Sequence, residues 1–376
     1  MSLNDLPDIC LWMIFENVHE AKELIRLSKV CSRWSDLIRL RFNRVKYLQM
    51  ISDEQVDYID KSRLWINYIL YAATISDYNL MNFFPNLKII ELSPFACLSL
   101  RSYNLTKMIN NSSKIKGLIG LYEPVENGYN LENIELVSSD FKFEFKKVFR
   151  PDQLKQIHFR RIHLSRLSQI IEYFPNLKRI SLTLRNDTKT NYDGANLVGL
   201  KILELKAKFP DSFGFHLIDS CPFLESLFFY YNGSDLYVDE SMKNFNLRDL
   251  VIDHALFFTW PLMRRVLSKF PNLHHLSIRN SKEIDDNHVK ELVKILPEIK
   301  LLDLRRSKGV TSQSADYLNE FCLKSRRSIE IYYDCEEEPT EWPKLGIPRE
   351  LIAYGFDFMK HCFYKNFSSL PYLIDE

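Results

Sequence analysis

The chain has 376 residues, 46% of them hydrophobic and 13% aromatic, which excludes a disordered polymer and supports either two or three compact domains or one small domain with an elongated array. Fifty Lys and Arg against 49 Asp and Glu leave a formal charge of +1, so no global field draws the chain to nucleic acid or to an anionic membrane, and neither is expected as a partner. Only ten glycines occur and no glycine-rich phosphate-binding motif is present, so nucleotide chemistry is not expected.

The seven cysteines (Cys10, Cys31, Cys97, Cys221, Cys322, Cys335 and Cys362) are scattered and form no CxxC pair. That usage reads as reduced thiols in the cytoplasm or nucleus, with no disulfide framework, no zinc site and no other cofactor. Asn4, Asp5 and Asp8 interrupt the N-terminus, so no signal peptide is expected there, and no apolar run reaches the length of a membrane span.

Residues 1–42 hold no repeat and read as three short helices. Asn4 or Asp5 is placed to cap the first, with Pro7 at an early helical position and Ile9, Met13 and Ile14 on one apolar face. The second runs near Lys22 to Val30 through Leu24 and Leu27, and the third follows from Ser32 with Trp34, Leu37 and Ile38. Leu6-Pro7-Asp8-Ile9, Ile14-Phe15, Leu24, and Leu27-Ser28-Lys29-Val30-Cys31-Ser32-Arg33-Trp34 together resemble the F-box motif over about forty residues. The loop between Phe15 and Leu24 is one residue longer than usual, and the tryptophan that often closes the motif is replaced by the Leu40–Phe42 region.

The resemblance implies binding to a Skp-type adaptor and, through it, to a cullin. The contact residues it implies are Leu6, Pro7, Ile9, Ile14, Leu24, Val30, Cys31 and Trp34. A physical argument runs alongside. Three short helices in forty residues cannot hide all of these apolar faces, so a partner or the rest of the chain should cover some of them.

Beyond the helices one phrase recurs. Phe84-Pro85-Asn86-Leu87, Phe174-Pro175-Asn176-Leu177 and Phe270-Pro271-Asn272-Leu273 each lead into a strand-like alternation with apolar residues in an LxxLxL frame. Weaker copies are Leu131/Ile134/Leu136, Leu154/Ile157/Phe159, Leu200/Leu203/Leu205, Leu224/Leu227/Phe229, Leu247/Leu250/Ile252 and Ile299/Leu302/Leu304. From Leu131 the first anchors fall 23, 23, 23, 24, 23, 26 and 26 residues apart, inside the range of leucine-rich repeats (LRRs). Helical stripes fill the gaps: Leu164, Leu167, Ile170, Ile171 and Phe174, then Val289, Leu292, Val293 and Leu296, with Pro175, Pro271 and Pro297 as stops.

The last units resemble the LRRs of F-box proteins at the helix starts Ile284-Asp285-Asp286 and Val310-Thr311. They depart from that family three residues after the strand, where Asn or Cys is usual. Only Asn232 fits; Ser281, Ser307 and Ala255 occupy the place elsewhere, so an irregular array is expected.

The predicted architecture is α/β: an N-terminal three-helix F-box (1–42), then a curved LRR solenoid, or horseshoe (43–333, regular from about 131 to 310), then a capping tail (334–376) with an acidic stretch that reads as solvated loop. The interval from Leu87 to Leu131 is 44 residues. The internal candidate Ile115-Lys116-Gly117-Leu118 divides them as 28 and 16, too short a second interval, so a distorted or helical insertion is expected there.

Strand alternation sends Phe228, Tyr230 and Val251 to the open face, along with His158, Arg160, Arg179, Ser181, Glu204, Asp249, His275, Ser277 and Asp303. Most of that face is expected to be solvated. Phe228, Tyr230 and Val251 are the expected anchors for an unidentified protein substrate, with Arg279 and Arg305 as charge partners. His274 and His275 face opposite ways and cannot converge on one ion. No catalytic motif is found, and the resemblance implies a non-catalytic substrate-recognition subunit of a ubiquitin ligase. The alternative is an LRR interaction scaffold acting outside any ligase.

Overall fold

The computed structural model describes residues 3–51, 68–72, 80–92, 113–121, 131–139, 144–184, 191–207, 213–231 and 236–333. The tail expected at 334–376 and the turn residue Asn232 lie outside them. Two compact units are present, Met1–Leu154 (with Glu376) and Lys155–Asp375.

The first unit opens with a 3-10 turn, Leu3–Asp5, and three helices: α1 (Asp8–Glu16), α2 (Ala21–Leu27) and α3 (Ser32–Asn43). Then come β1 (Tyr47–Ile51), β2 (Tyr68–Ala72), α4 (Leu80–Phe83), β3 (Ile89–Leu92), β4 (Gly117–Leu121), β5 (Leu136–Ser139) and α5 (Phe145–Val148). The strands are parallel in the order β5-β4-β3-β1-β2. Neither Asn4 nor Asp5 caps α1. Pro7 holds the N-cap position in an extended conformation, with no side-chain cap.

The helices grow into the sheet without a break. Phe42-Asn43-Arg44-Val45 repeats the turn of Phe84-Pro85-Asn86-Leu87: the Val45 N–H donates to the Phe42 carbonyl (3.1 Å) as the Leu87 N–H donates to Phe84 (3.2 Å). Phe42 packs edge-on against Phe84 at 5.1 Å, and Val45, Leu48 and Met50 are all buried. Helix α3 therefore serves both the helical domain and the first repeat.

The expected insertion between Leu87 and Leu131 is not what forms. Ile115 and Leu118 are core residues and Gly117–Leu121 is a strand in register with β3 and β5. Pairing of Gly117 with Leu136 puts Ile134, not Leu131, in the anchor place, so Leu131 is the counterpart of Phe84. The second interval is then Ile115 to Ile134, 19 residues rather than 16, and the pairing of β4 on both sides makes this short unit a repeat of the array. Strand β4 also carries a register shift at Gly120, whose φ is +88°. A Cβ there would lie 2.2 Å from the Leu92 carbonyl oxygen, so only glycine fits.

The second unit runs β6 (Gln156–Ile162), α6 (Leu164–Tyr173), β7 (Arg179–Leu184), β8 (Ile202–Ala207), β9 (Phe213–Gly214), α7 (His216–Asp219), β10 (Ser226–Tyr231), β11 (Leu236–Tyr237), β12 (Asp249–Asp253), α8 (Trp260–Leu267), β13 (His275–Ile278), α9 (Asp286–Ile295), β14 (Leu301–Asp303), α10 (Ser312–Ser325) and β15 (Glu330–Tyr332). The main strands are parallel in chain order, β6-β7-β8-β10-β12-β13-β14-β15, and β9 pairs with β11 in a side sheet. This is the open parallel solenoid expected of LRRs. One apolar row, Ile180, Leu203, Leu227, Leu250, Leu276 and Leu302, stacks across the strands and is buried throughout.

The helical stripes are borne out. Leu164, Leu167, Ile170 and Ile171 are the buried face of α6, and Val289, Leu292 and Val293 that of α9. Asp285 and His288 close a capping box on α9, and Thr311 caps α10. The serines after the strands do the work expected of asparagine. The Ser281 hydroxyl accepts from the Glu283 (3.2 Å) and Ile284 (3.3 Å) N–H groups. Just before them His254, Asn280 and Arg306 take the left-handed conformation, at the same place in three repeats.

Candidate functional site

In the N-terminal helices the apolar side chains divide by spacing. Leu11 and Phe15 share one face of α1 and are buried; Ile9 and Met13, also four apart, share another and are exposed. Phe15 packs edge-on against Trp34 at 5.3 Å, and Leu24, Ile25 and Ile38 complete this small core. Arg41, buried at the far end of α3, has its guanidinium pulled down to about 10 by burial, against the charge of Glu16.

Arg33 fixes the chain entrance. Its guanidinium donates to the Asp8 carboxylate (2.7 Å) and to the carbonyls of Asn4 (2.8 Å) and Leu6 (2.6 Å). The α2–α3 turn is thereby held beside residues 4–8, and the Cys31 thiol lies 3.9 Å from the Asn4 side-chain oxygen.

Of the residues expected to meet an adaptor, Pro7, Ile9, Ile14 and Val30 are exposed, Ile9 by 64% and Val30 by 60%. Leu6 and Cys31 are half-buried. Leu24 (0% exposed) and Trp34 (7%) face the helices' own core and offer no free surface. The motif spacing does not separate the two groups, because an F-box-type sequence needs apolar residues both for its core and for its surface. Exposed Leu3, Met13 and Leu40 were not among the expected contacts; the four-residue step from Ile9 to Met13 is the signal that identifies Met13.

The open strand face of the second unit differs sharply from expectation. Phe228 and Val251 are 0% exposed, and Arg179, Ser181, Glu204, Asp249, His275, Ser277 and Asp303 are buried as well. Adjacent parallel strands stand about 4.8 Å apart, so side chains in register cover one another. Phe228 lies between Glu204 and Val251 in register, and the Arg279 guanidinium sits 6.0 Å over its ring. The face is a buried layer of polar side chains, most of them paired, not a solvated surface with an apolar patch.

Its pairings run along the sheet. Arg179 pairs with Glu204. Asp249 accepts from the Ser226 hydroxyl (2.5 Å) and meets the His275 Nδ1 at 2.6 Å. Asp303 is held by Arg305 at 2.8 and 2.9 Å, by the Ser277 hydroxyl at 2.9 Å and by Arg279 at 3.4 Å. Burial alone would raise the Asp303 carboxyl, but the Arg305 hydrogen bond and the charges of Arg279 and Arg305 outweigh it, and the net shift is downward. Burial, ahead of every other cause, lowers Arg279, with Asp303 opposing it.

Tyr230 remains half-exposed. It stacks on His254 (5.1 Å between centroids), with the Lys206 ammonium 4.6 Å over its ring. Arg279 and Arg305 lie just past the ends of β13 and β14 and are largely buried. His274 and His275 sit at 80° to each other, and among the described residues no group of three or more His, Cys, Asp or Glu could hold a metal. No helix among the described residues is long and apolar enough to cross a membrane.

Residues 3–42 match the F-box-like domain family. The chain is similar to a chain in the crystal structure of the TLR13-ssRNA13 complex, at 17% identity and a TM-score of 0.40, over 71% of this chain and 40% of that one. It thus spans less than half of that protein. No curated protein is a significant match. In class, the molecule carries an F-box-like domain at its N-terminus, followed by a parallel-strand solenoid of the leucine-rich-repeat kind.

Proposed function

We propose that this chain is the substrate-recognition subunit of an SCF-type (Skp-cullin-F-box) ubiquitin ligase. The F-box-like domain docks on a Skp-type adaptor, and residues 43–333 hold a protein substrate. The observation that carries this reading is the exposure of Ile9, Met13, Ile14 and Val30 in a domain matched as F-box-like. Burying a large apolar side chain yields about 1.5–3 kcal/mol, so these few would dominate the docking energy. The chain itself performs no chemistry; it raises the local concentration of its target beside a conjugating enzyme.

The substrate meets the strand margin where Tyr230 is accessible, while Arg279 and Arg305, expected as charge partners, are buried against Asp303 and serve the margin from within. Phe228 and Val251, buried beside it on the same face, support that margin. The deciding experiment is co-purification of the tagged full chain with a Skp-type adaptor and a cullin. Recovery of both is expected. Recovery of neither sinks the ligase reading and leaves a scaffold acting alone, and recovery of the adaptor without cullin leaves the adaptor as a mere stabiliser.

A further inference from the structure

The residue just before each main strand belongs to a column that neither the helical domain nor the Tyr230 margin uses. In the second unit it begins Lys155, Lys178, Lys201 and continues, after Glu225, with Arg248, His274 and Lys300. Their backbones form one ladder, each N–H donating to the carbonyl of the residue before it at 2.7–2.9 Å. Neighbours are therefore one strand step apart, about 4.8 Å. In the first unit the same ladder holds Lys46, Lys88, Lys116 and Glu135. Ile329, opposite Lys300, closes the column ahead of β15; eight of these twelve described places are Lys or Arg, whereas the chain-wide share, 50 in 376, would fill one or two.

Lys155, Lys178 and Lys201 are like charges one step apart, which repel. In the second unit Glu225 neutralises Lys201. Lys178, Arg248 and Lys300 are exposed and have no acidic partner within 4.0 Å among the described residues. Their field reaches the ring between them: His274 is lowered, first by burial and then by Lys300, with His275 and Arg248 adding to it. Apolar groups line the same edge. Val198, Phe223 and Phe245 are exposed in the turns that lead into β8, β10 and β12. The turns into β10, β12 and β13 are tied together, Asn246 donating to the Pro222 carbonyl (3.1 Å) and Asn272 to that of Phe245 (2.8 Å).

We propose that this edge of the second unit is a docking surface for an extended, acidic segment of a partner protein carrying apolar side chains between its carboxylates. It lies at the opposite strand ends from the Tyr230 margin and does not depend on the ligase reading. Charge complementarity selects the class of ligand. Glu225 selects between polyanions, because a nucleic acid must place a phosphate at every step, whereas a polypeptide can set a neutral residue opposite the interruption. From Lys155 to Lys300 the column covers six steps, about 29 Å, which an extended peptide spans with about nine residues.

The test uses the full-length protein and a labelled peptide of about twelve residues in which glutamate pairs alternate with leucine. Its glutamine-for-glutamate version, an oligouridylate and phosphatidylserine vesicles complete the set. The acidic peptide should bind at least about tenfold more tightly than the glutamine version, with the preference fading as salt rises. The triple variant K178E/R248E/K300E should lose at least about tenfold in affinity at an unchanged melting temperature. Should the triple variant not fold, K178E and K300E are read singly, each expected to weaken binding. Equal binding of the two peptides, variants that bind as the parent does, or tighter binding to oligouridylate or vesicles would overturn the proposal.

Discussion

The N-terminal helices and the strand face of the second unit invert each other. The helices leave Ile9, Met13 and Val30 in water, whereas the strand face buries Arg179, Glu204, His275 and Asp303. The lesson is that residue polarity alone does not say what is a surface. Three short helices run out of interior and must display apolar groups. A stack of parallel strands has interior to spare, and its charged groups are tolerated there because they are paired. The apolar surface is the one the proposed docking uses, and the polar layer is part of the scaffold.

Cutting into the layer should cost most. Asp303→Ala removes the carboxylate shared by Arg279 and Arg305 and leaves two guanidinium groups buried. A loss of about 3–5 kcal/mol in urea unfolding is expected; a loss near zero would mean the cluster is hydrated. The same residue sets an acid limit. Its folded-state carboxyl lies below the ordinary value, so its stabilisation is present above the unfolded-state value, about 3.9, and is lost as pH falls through the folded one. Asp303→Asn should flatten that part of the acid unfolding profile.

Phe228→Ala should cost a comparable or slightly smaller amount, about 3–5 kcal/mol, as a core truncation. An unchanged melting curve would restore it to the surface. The smallest effect is expected at Arg306, a non-glycine residue held at φ 60°. Arg306→Gly should raise stability by a few tenths to about 1 kcal/mol, and a loss of that size would show that the Arg306 side chain matters more than its backbone.

How much of this was legible in the sequence follows from what the physics makes local. The Phe-Pro-Asn-Leu phrase and its LxxLxL frame mark the repeats because the turn and the apolar alternation are local patterns. The frame failed at Leu131, where Leu131, Ile134 and Leu136 fit the same template as the true set Ile134, Val137 and Ser139. A serine in the third core place hid the register, and that error concealed the repeat at Ile115. The first repeat was hidden differently, since Phe42, which opens its turn, fell inside the helical motif.

The site was legible only as a list of residues. Sequence spacing brought Leu24 and Val30 together as contacts, yet one is core and the other surface, because helix packing decides which face turns inward. Phe228 and Val251 alternate as an open face requires, but the lateral cover from Glu204, Ser277 and Arg279 is non-local and has no signature along the chain.

The most direct measurement is the affinity of a purified Skp-type adaptor for the full-length protein, for Ile9→Glu/Val30→Glu and for Leu24→Ala, with the melting temperature of each. The surface double variant should lose at least about tenfold in binding while its stability moves by no more than about 0.5 kcal/mol. Leu24→Ala should lose about 2–5 kcal/mol of stability and fail in binding only as far as it unfolds. Full adaptor binding by Ile9→Glu/Val30→Glu would contradict the account, because the exposed apolar face would then not be the docking surface.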